Sequence, residues 1–503
     1  MTGIVKRFGA VTALDEVEFE AARGTIHAVA GENGAGKTTL MRILYGMSRP
    51  DAGTMALEGE SFAPRGPAEA LARGVGMVHQ HFMLVPTLTV AENAVLGREP
   101  RRAGLLVDHA AAREEVAEIA ARFGLDLDPD ALVGELSVGE KQRLEILKVL
   151  LRGARILILD EPTAVLVPRE ARTLLETLRG LADDGATVLF ITHRLREVTE
   201  AADEVTVLRR GANAGRVAAA TTSERELARL MVGREMAVRD ATPRRAPGAD
   251  VLTVESCGEP EGGTGAARLQ SVARLKEVTL RVREAEIVGV AGVEGNGQRE
   301  LVEILAGLRP YRGTARISGK DIAGRGPAGV RKLGLTHVPE GRLEAGLIPE
   351  MTVEENLLLG RETEARFRRG PAFDRRAIRK HAEARLAAFD VRPARPDVPV
   401  TALSGGNQQK VVISREAEGD PVALLVAHPT RGVDVGAQEA IHDALLGLRD
   451  RGAAVLLVSA DLSELLHLSD RIIVLYGGRV AGEFARGDVD EETLGVLMIG
   501  GGA

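Results

Sequence analysis

At 503 residues the chain has room for two or three domains, each large enough to bury its own core. Its formal charge of -7, with acidic and basic residues interspersed, gives no reason to expect nucleic acid as a partner. The lone Cys257 excludes an internal disulfide, and no apolar run approaches the ~18 residues of a membrane span. With no signal-peptide pattern at its start, a cytosolic protein is expected, one that reaches a membrane only through a partner.

The first half opens almost directly at Gly3-Ile4-Val5-Lys6-Arg7-Phe8, so its first strand is expected to be short or missing. Thr25 to Ala30 reads as a buried strand feeding Gly31-Glu32-Asn33-Gly34-Ala35-Gly36-Lys37-Thr38, a complete G-x-x-x-x-G-K-[ST] phosphate loop. A helix is expected behind it over Thr39 to Tyr45. The loop glycines let backbone N–H groups approach phosphate oxygens, and the helix N-terminus favours the negative charge. Lys37 is placed to reach the β and γ phosphates, and the Thr38 hydroxyl to ligate Mg2+.

Val75 to Val78 is a further short strand. From about 95 to 145 the pattern turns helical, with Ala110 to Phe123 rich in alanine. Ile156-Leu157-Ile158-Leu159 and Thr187 to Ile191 are apolar runs suited to parallel strands covered on both faces. The former ends in Asp160-Glu161: Asp160 suits a metal, and Glu161 can polarise an attacking water. An Asp-Glu pair after a strand is, alone, more often a solvated turn; the phosphate loop upstream gives it meaning.

The pattern then repeats. Gly31 returns as Gly292, 261 residues on, and Val90 to Arg98 returns as Val353 to Arg361 at an offset of 263. From Leu136-Ser137 against Leu403-Ser404 the offset is 267, and it holds to the ends, where Leu227 to Gly233 mirrors Leu494 to Gly500. Solenoid repeats run to ~20–50 residues, so this period means duplication of a domain. The expected division is a first domain over 1–233, a polar, Pro-containing linker over 234–250, and a second domain over 251–503.

The Leu136-Ser137-Val138-Gly139-Glu140-Lys141-Gln142-Arg143 segment resembles the signature motif of ATP-binding-cassette (ABC) ATPases, and Leu403-Ser404-Gly405-Gly406-Asn407-Gln408-Gln409-Lys410 resembles it more closely. Gln80 fits that family's Q-loop glutamine and His193 its switch histidine. Phe8, 23 residues before Gly31, fits the aromatic that stacks on adenine. The resemblance covers essentially the whole chain. It implies an α/β fold of two tandem P-loop ABC ATPase domains, each with a helical subdomain insertion. The implied catalytic residues are Glu161, His193 and Gln80. Phe8, Gly31, Asn33, Gly34, Gly36, Lys37, Thr38 and Thr39 would hold ATP, and Thr38, Gln80 and Asp160 would hold Mg2+.

In the second half the loop glycines are kept, but each catalytic position has been replaced. Gln298-Arg299 stands for Lys37-Thr38, Glu340 for Gln80, Ala427-His428 for Asp160-Glu161, and Ala460 for His193. No aromatic lies between Val251 and Pro310 to stack on a base. In the ABC family each ATP lies between one domain's phosphate loop and the other's signature helix. The resemblance therefore pairs the intact loop with Ser404, Gly405 and Gly406, and with Asp434 of the D-loop-like Arg431-Gly432-Val433-Asp434. The second site is expected to bind nucleotide without a metal or to stay empty. Arg299 either helps to hold a closed interface or points into solvent.

A tandem cassette with a degenerate second half looks like the ATPase subunit of bacterial simple-sugar and nucleoside importers. Gly76 to Asn93 and the loop Gly292 to Gln298 resemble the nucleoside branch most closely. That membership implies two integral-membrane permease subunits, an extracytoplasmic solute-binding lipoprotein, and a place on the cytoplasmic face of the membrane. The alternatives are a pentose or hexose importer and, more remotely, a soluble tandem cassette acting on ribosomes or nucleic acid. The last class usually carries two competent sites and a long charged linker.

Overall fold

The computed structural model describes the chain apart from residues 10, 80–81, 103–105, 164–165, 167, 193, 234–239, 261–274, 294 and 501–503 and the side chains of Pro168 and Arg169. It divides into two compact units, Met1–Ala237 and Val238–Ala503.

In the first unit a six-stranded sheet runs in the order Ala212–Ala218, Glu204–Arg209, Ile26–Gly31, Thr187–Thr192, Ile156–Asp160, Val75–Val78. Every neighbouring pair is parallel except the antiparallel Ala212–Ala218 edge. Ile26–Gly31 and Thr187–Thr192 are buried along their whole length, so both faces are apolar, as parallel strands covered by helices require. Burying each such Val, Leu or Ile contributes ~1.5–3 kcal/mol. Because the five parallel strands point one way, Gly31, Asp160 and Thr192 all emerge at the same edge of the sheet, where α/β folds place their ligands.

The first strand is neither short nor missing. Thr2–Phe8 pairs antiparallel with Val11–Val17 and with Ala52–Thr54. The expectation failed because only Ile4 is buried along that strand, so its apolar content is too low to read as a strand. Pairing with the adjacent Val11–Val17 and the more distant Ala52–Thr54 forms it.

The helical insertion consists of Val90–Val95, His109–Arg122 and Val138–Leu151, packed on one another. Capping boxes start two of these helices, Thr89 with Glu92 and Ser137 with Glu140, an arrangement that satisfies two orphan N–H groups at once.

The second unit repeats the plan. Its sheet runs Leu335–Val338, Ala423–Ala427, Ala454–Val458, Ile287–Ala291, Arg471–Tyr476, Arg479–Ala485. Its helical insertion contains Val353–Leu358, Arg375–Ala388 and Gly405–Glu416. Part of the segment read from sequence as linker belongs structurally to this unit. Ala241 is buried in its core, and Arg449, 1% exposed, donates to the Ala241 and Thr242 carbonyls at 2.7 and 3.2 Å.

Candidate nucleotide site

The first unit's phosphate loop joins Ile26–Gly31 to the helix Lys37–Leu44. Gly36 has φ 103° and forms the helix N-cap; a Cβ there would lie 2.6 Å from Leu14 Cδ2 and 2.7 Å from the Ala13 carbonyl. Only glycine fits both the backbone angle and the approach. At Gly31 a Cβ would lie 2.4 Å from the Leu208 carbonyl. The antiparallel strand Val11–Val17 thus packs directly against the loop. Its partner strand ends in Phe8, which is 55% exposed with the Lys6 ammonium 5.5 Å from its ring centre.

Lys37 is buried, and its Nζ donates to the Gly31 and Glu32 carbonyls at 2.7 and 3.0 Å. Burial pulls its pKa down, opposed by Glu161, Asp160 and Glu32. Thr38 Oγ1 donates to Asp160 Oδ1 at 3.3 Å. Burial, and then the Glu161 carboxylate, push the Asp160 pKa up, against the Thr38 hydrogen bond and the cations of Arg42 and Lys37. One lysine, one hydroxyl and two carboxylates therefore meet at the sheet edge. A hard divalent cation suits this donor set, because Thr38 and Asp160 supply oxygens and a nucleotide supplies phosphate oxygens. Among the described residues no group of three or more His, Cys, Asp or Glu side chains gathers to hold a metal unaided.

Glu161 has φ 50°, a conformation costing of order 1–3 kcal/mol in a non-glycine residue. Its N–H donates to the Ile191 carbonyl at 3.0 Å, fixing it to the neighbouring strand. Asn33 and Gly34 are exposed at the loop tip, and Thr39 is half-buried in the helix's first turn. Gln80 and His193 lie outside the described residues.

In the second unit the loop keeps its shape with different chemistry. Gly297 has φ 106° and caps the helix Gln298–Leu305. Gln298 is buried and donates to the Val293 carbonyl at 3.1 Å, taking over the loop-closing bond of Lys37 without its charge. Asn296 adds links absent from sequence reasoning: its side chain donates to the Met498 carbonyl at 3.2 Å and accepts from Gly477 N–H at 3.0 Å. Arg299 pairs with Glu303 at 2.8 Å within its own helix and is 79% exposed. Ala427 offers no metal ligand. His428 repeats the left-handed backbone at φ 47° and accepts the Ala460 N–H through Nδ1 at 3.2 Å. Glu340, at the position of Gln80, forms an ion pair with Arg431. A magnesium triphosphate does not suit this donor set.

The second unit's signature residues do come together. Ser404 is the N-cap of Gly405–Glu416 and accepts from Asn407 Nδ2 at 2.8 Å. A Cβ on Gly406 would lie 2.9 Å from Asp434 Oδ2, so this glycine and Asp434 are packed together. Asp434 in turn caps the helix Val435–Asp450 through the Ala437 N–H at 2.7 Å. The role of Asn407 escaped the sequence reading, although its signal, Asn where the first copy has Glu140, lies inside the motif.

A parallel sheet with a buried lysine and a hydroxyl on its first loop and two carboxylates at a neighbouring strand end defines a P-loop ATPase; the second unit repeats the fold without those side chains. A model of the ABC transporter family matches residues 14–164 and again 275–431. The chain is 43% identical to a glucose import ATP-binding protein of Haloferax volcanii, over 100% of this chain and 96% of that protein. It is 42% identical to a nucleoside import ATP-binding protein of Lactococcus lactis, over 100% and 98%. The crystal structure of an archaeal ribosome recycling factor with a ribosomal stalk protein covers 96% of this chain and 90% of its own at 21% identity and TM-score 0.64, a likeness of fold alone. The chain belongs to the ABC transporter family, and its activity is ATP hydrolysis coupled to transport. No described helix is long and apolar enough to cross a membrane.

Proposed function

We propose that this chain is the ATP-hydrolysing subunit of a nucleoside importer. It would work at the cytoplasmic face of the membrane with two permease subunits and an extracytoplasmic solute-binding lipoprotein. The observation that carries the reading is the asymmetry of the two units. Lys37, Thr38, Asp160 and Glu161 gather at one sheet edge, and Gln298, Arg299, Ala427 and His428 stand at the other. The nucleoside branch is supported by the segment Gly76 to Asn93 and by the Lactococcus lactis relative.

On this reading Lys37 and the loop amides hold the phosphates of ATP, and Phe8 stacks on the adenine. Thr38, Asp160 and Gln80 hold Mg2+, which supplies charge neutralisation on the phosphates when bound. Glu161 orients and polarises the attacking water, with His193 as the switch histidine. Ser404, Gly405, Gly406 and Asp434 complete the same site, so that one composite site turns over.

Deleting the gene in its host and measuring uptake of labelled nucleosides, ribose and glucose tests this. Nucleoside uptake should fall and return with the wild-type chain but not with Glu161→Gln. Loss of sugar uptake with nucleoside uptake intact would instead establish the second reading, a sugar importer, which the Haloferax volcanii relative favours.

A further inference from the structure

One cation near the first unit's carboxylate strand is not among the residues that would hold ATP or Mg2+. Arg194 follows the strand Thr187–Thr192 and caps the helix Leu195–Ala201. Its Nη1 donates to the Thr163 carbonyl at 3.1 Å and to Glu197 Oε1 at 3.4 Å. Its N–H donates to Thr192 Oγ1 at 3.0 Å, and that hydroxyl donates to Glu197 Oε2 at 3.0 Å. Glu197 is buried, so a carboxylate shielded from water holds the guanidinium from behind. Thr163 lies two residues past Glu161. Arg194 therefore straps the segment leaving the carboxylate strand to the end of the neighbouring strand.

The strap acts on a residue that needs restraint. Glu161 holds a left-handed backbone that a non-glycine residue keeps only when its surroundings impose it. The Ile191 carbonyl holds it on one side and Arg194, through Thr163, on the other.

The second unit supplies the comparison. Ser459, Asp461 and Glu464 stand 267 residues beyond Thr192, Arg194 and Glu197. Ser459 still donates to Glu464, at 2.6 Å, and Asp461 N–H still donates to Ser459 Oγ, at 3.1 Å. The cation is gone: Asp461 caps its helix, accepting from the Ser463 and Glu464 N–H groups. Arg194 occupies the same N-cap and makes no side-chain cap bond. In the second unit the strand ends are joined instead by His428 and Ala460, through the very side chain that replaces Glu161. The first unit gives up a helix cap and gains a tie from Arg194 to Thr163 that the second unit lacks.

We propose that Arg194 is a positioning residue for hydrolysis, holding Glu161 in place through Thr163 without contributing to ATP affinity. The proposal rests on Glu161 being the residue that activates water. Arg194→Ala, Arg194→Lys and Glu161→Gln in the full chain test it, read as kcat, KM, affinity for a fluorescent ATP analogue and melting midpoint. Misplacing a reacting group by about 1 Å costs on the order of 10²-fold, so kcat of Arg194→Ala should fall on that scale with KM and affinity unchanged. Arg194→Lys, with one donor able to reach Thr163, should recover part of the rate. Full kcat in Arg194→Ala beside an inactive Glu161→Gln overturns the proposal and leaves the reading of Glu161 standing. Full turnover in Glu161→Gln removes that reading itself. A fall in affinity or melting midpoint alongside kcat, with no recovery in Arg194→Lys, makes Arg194 a purely structural residue and also overturns the proposal.

Discussion

Asn407 donates to the Ser404 hydroxyl at 2.8 Å, whereas Glu140, the matching residue of the first unit, closes a capping box on Ser137. The Ser137 hydroxyl accepts the Glu140 N–H at 3.2 Å, and the Ser137 N–H donates to the Glu140 carboxylate at 2.7 Å. A helix start that binds phosphate needs its N–H groups and its positive end available. At Ser137 a carboxylate of its own chain already occupies that end; at Ser404 a neutral amide orients the hydroxyl and adds no negative charge.

Ser404→Ala should therefore cripple ATP turnover, while Ser137→Ala should cost mainly a helix cap, ~1 kcal/mol of stability. Steady-state hydrolysis and melting of both variants check this. Equal losses of rate at the two serines would end the pairing of Ser404 with the intact loop.

Glu161→Gln should lower the hydrolysis rate on the order of 10²–10⁴-fold, the usual contribution of a general base, while ATP binding persists. His428→Ala should change the rate little, because its imidazole accepts the Ala460 N–H and stands beside no metal ligand at position 427. Comparable losses at both positions would contradict a single working site.

Titrating labelled ATP against the Glu161→Gln protein should reveal one site, lost when Mg2+ is chelated. Arg299→Ala should leave that binding curve unchanged, since Arg299 is engaged with Glu303 along its own helix. Gln298→Lys alone should add neither a second site nor activity. A second site that survives chelation and disappears in Arg299→Ala would show that Arg299 leaves Glu303 to grip phosphate.

Burial holds the His27 pKa down at about 4, with Glu204 opposing and Arg216 assisting, while its Nε2 lies 2.8 Å from Thr206 Oγ1. Above pH 6.5 the ring is neutral in the folded and unfolded chain alike. As pH falls from 6.5 towards 4, only the unfolded chain takes up the proton, so up to about 3 kcal/mol of stability is lost across that window. Urea unfolding at pH 7 and pH 5 should register the loss in the first unit. His27→Gln, whose amide can still meet Thr206, should flatten it.

The sequence was most informative where chemistry demands fixed residue types at fixed spacing. The loop from Gly31 to Thr38, the Asp160-Glu161 pair and the duplicated signature could be located because few other sequences satisfy those demands. The buried strands were legible to within a residue or two, since Ile26–Gly31 is apolar but for His27 and Ile156–Asp160 is apolar up to its final aspartate. Thr2–Phe8 was not, because an exposed strand carries little pattern and is made by its partners. Nor were the side-chain exchanges that give the second unit its character. Gln298 closing the loop, Asn296 reaching Met498 and Arg299 folding back to Glu303 depend on which groups the fold brings within hydrogen-bond distance, and no local sequence rule supplies that.

The left-handed turn at the strand end is present in both units, under a carboxylate in one and an imidazole in the other. Glu161 and His428 share the same backbone angle to within a few degrees, yet only one stands in a site equipped for hydrolysis. Each copy is a control for the other: what both retain belongs to the architecture, and what one has lost belonged to the reaction. By that standard the twisted backbone is inherited scaffolding. A strained residue found alone in a single-copy relative would look like an active-site signature, and this chain carries its own counterexample.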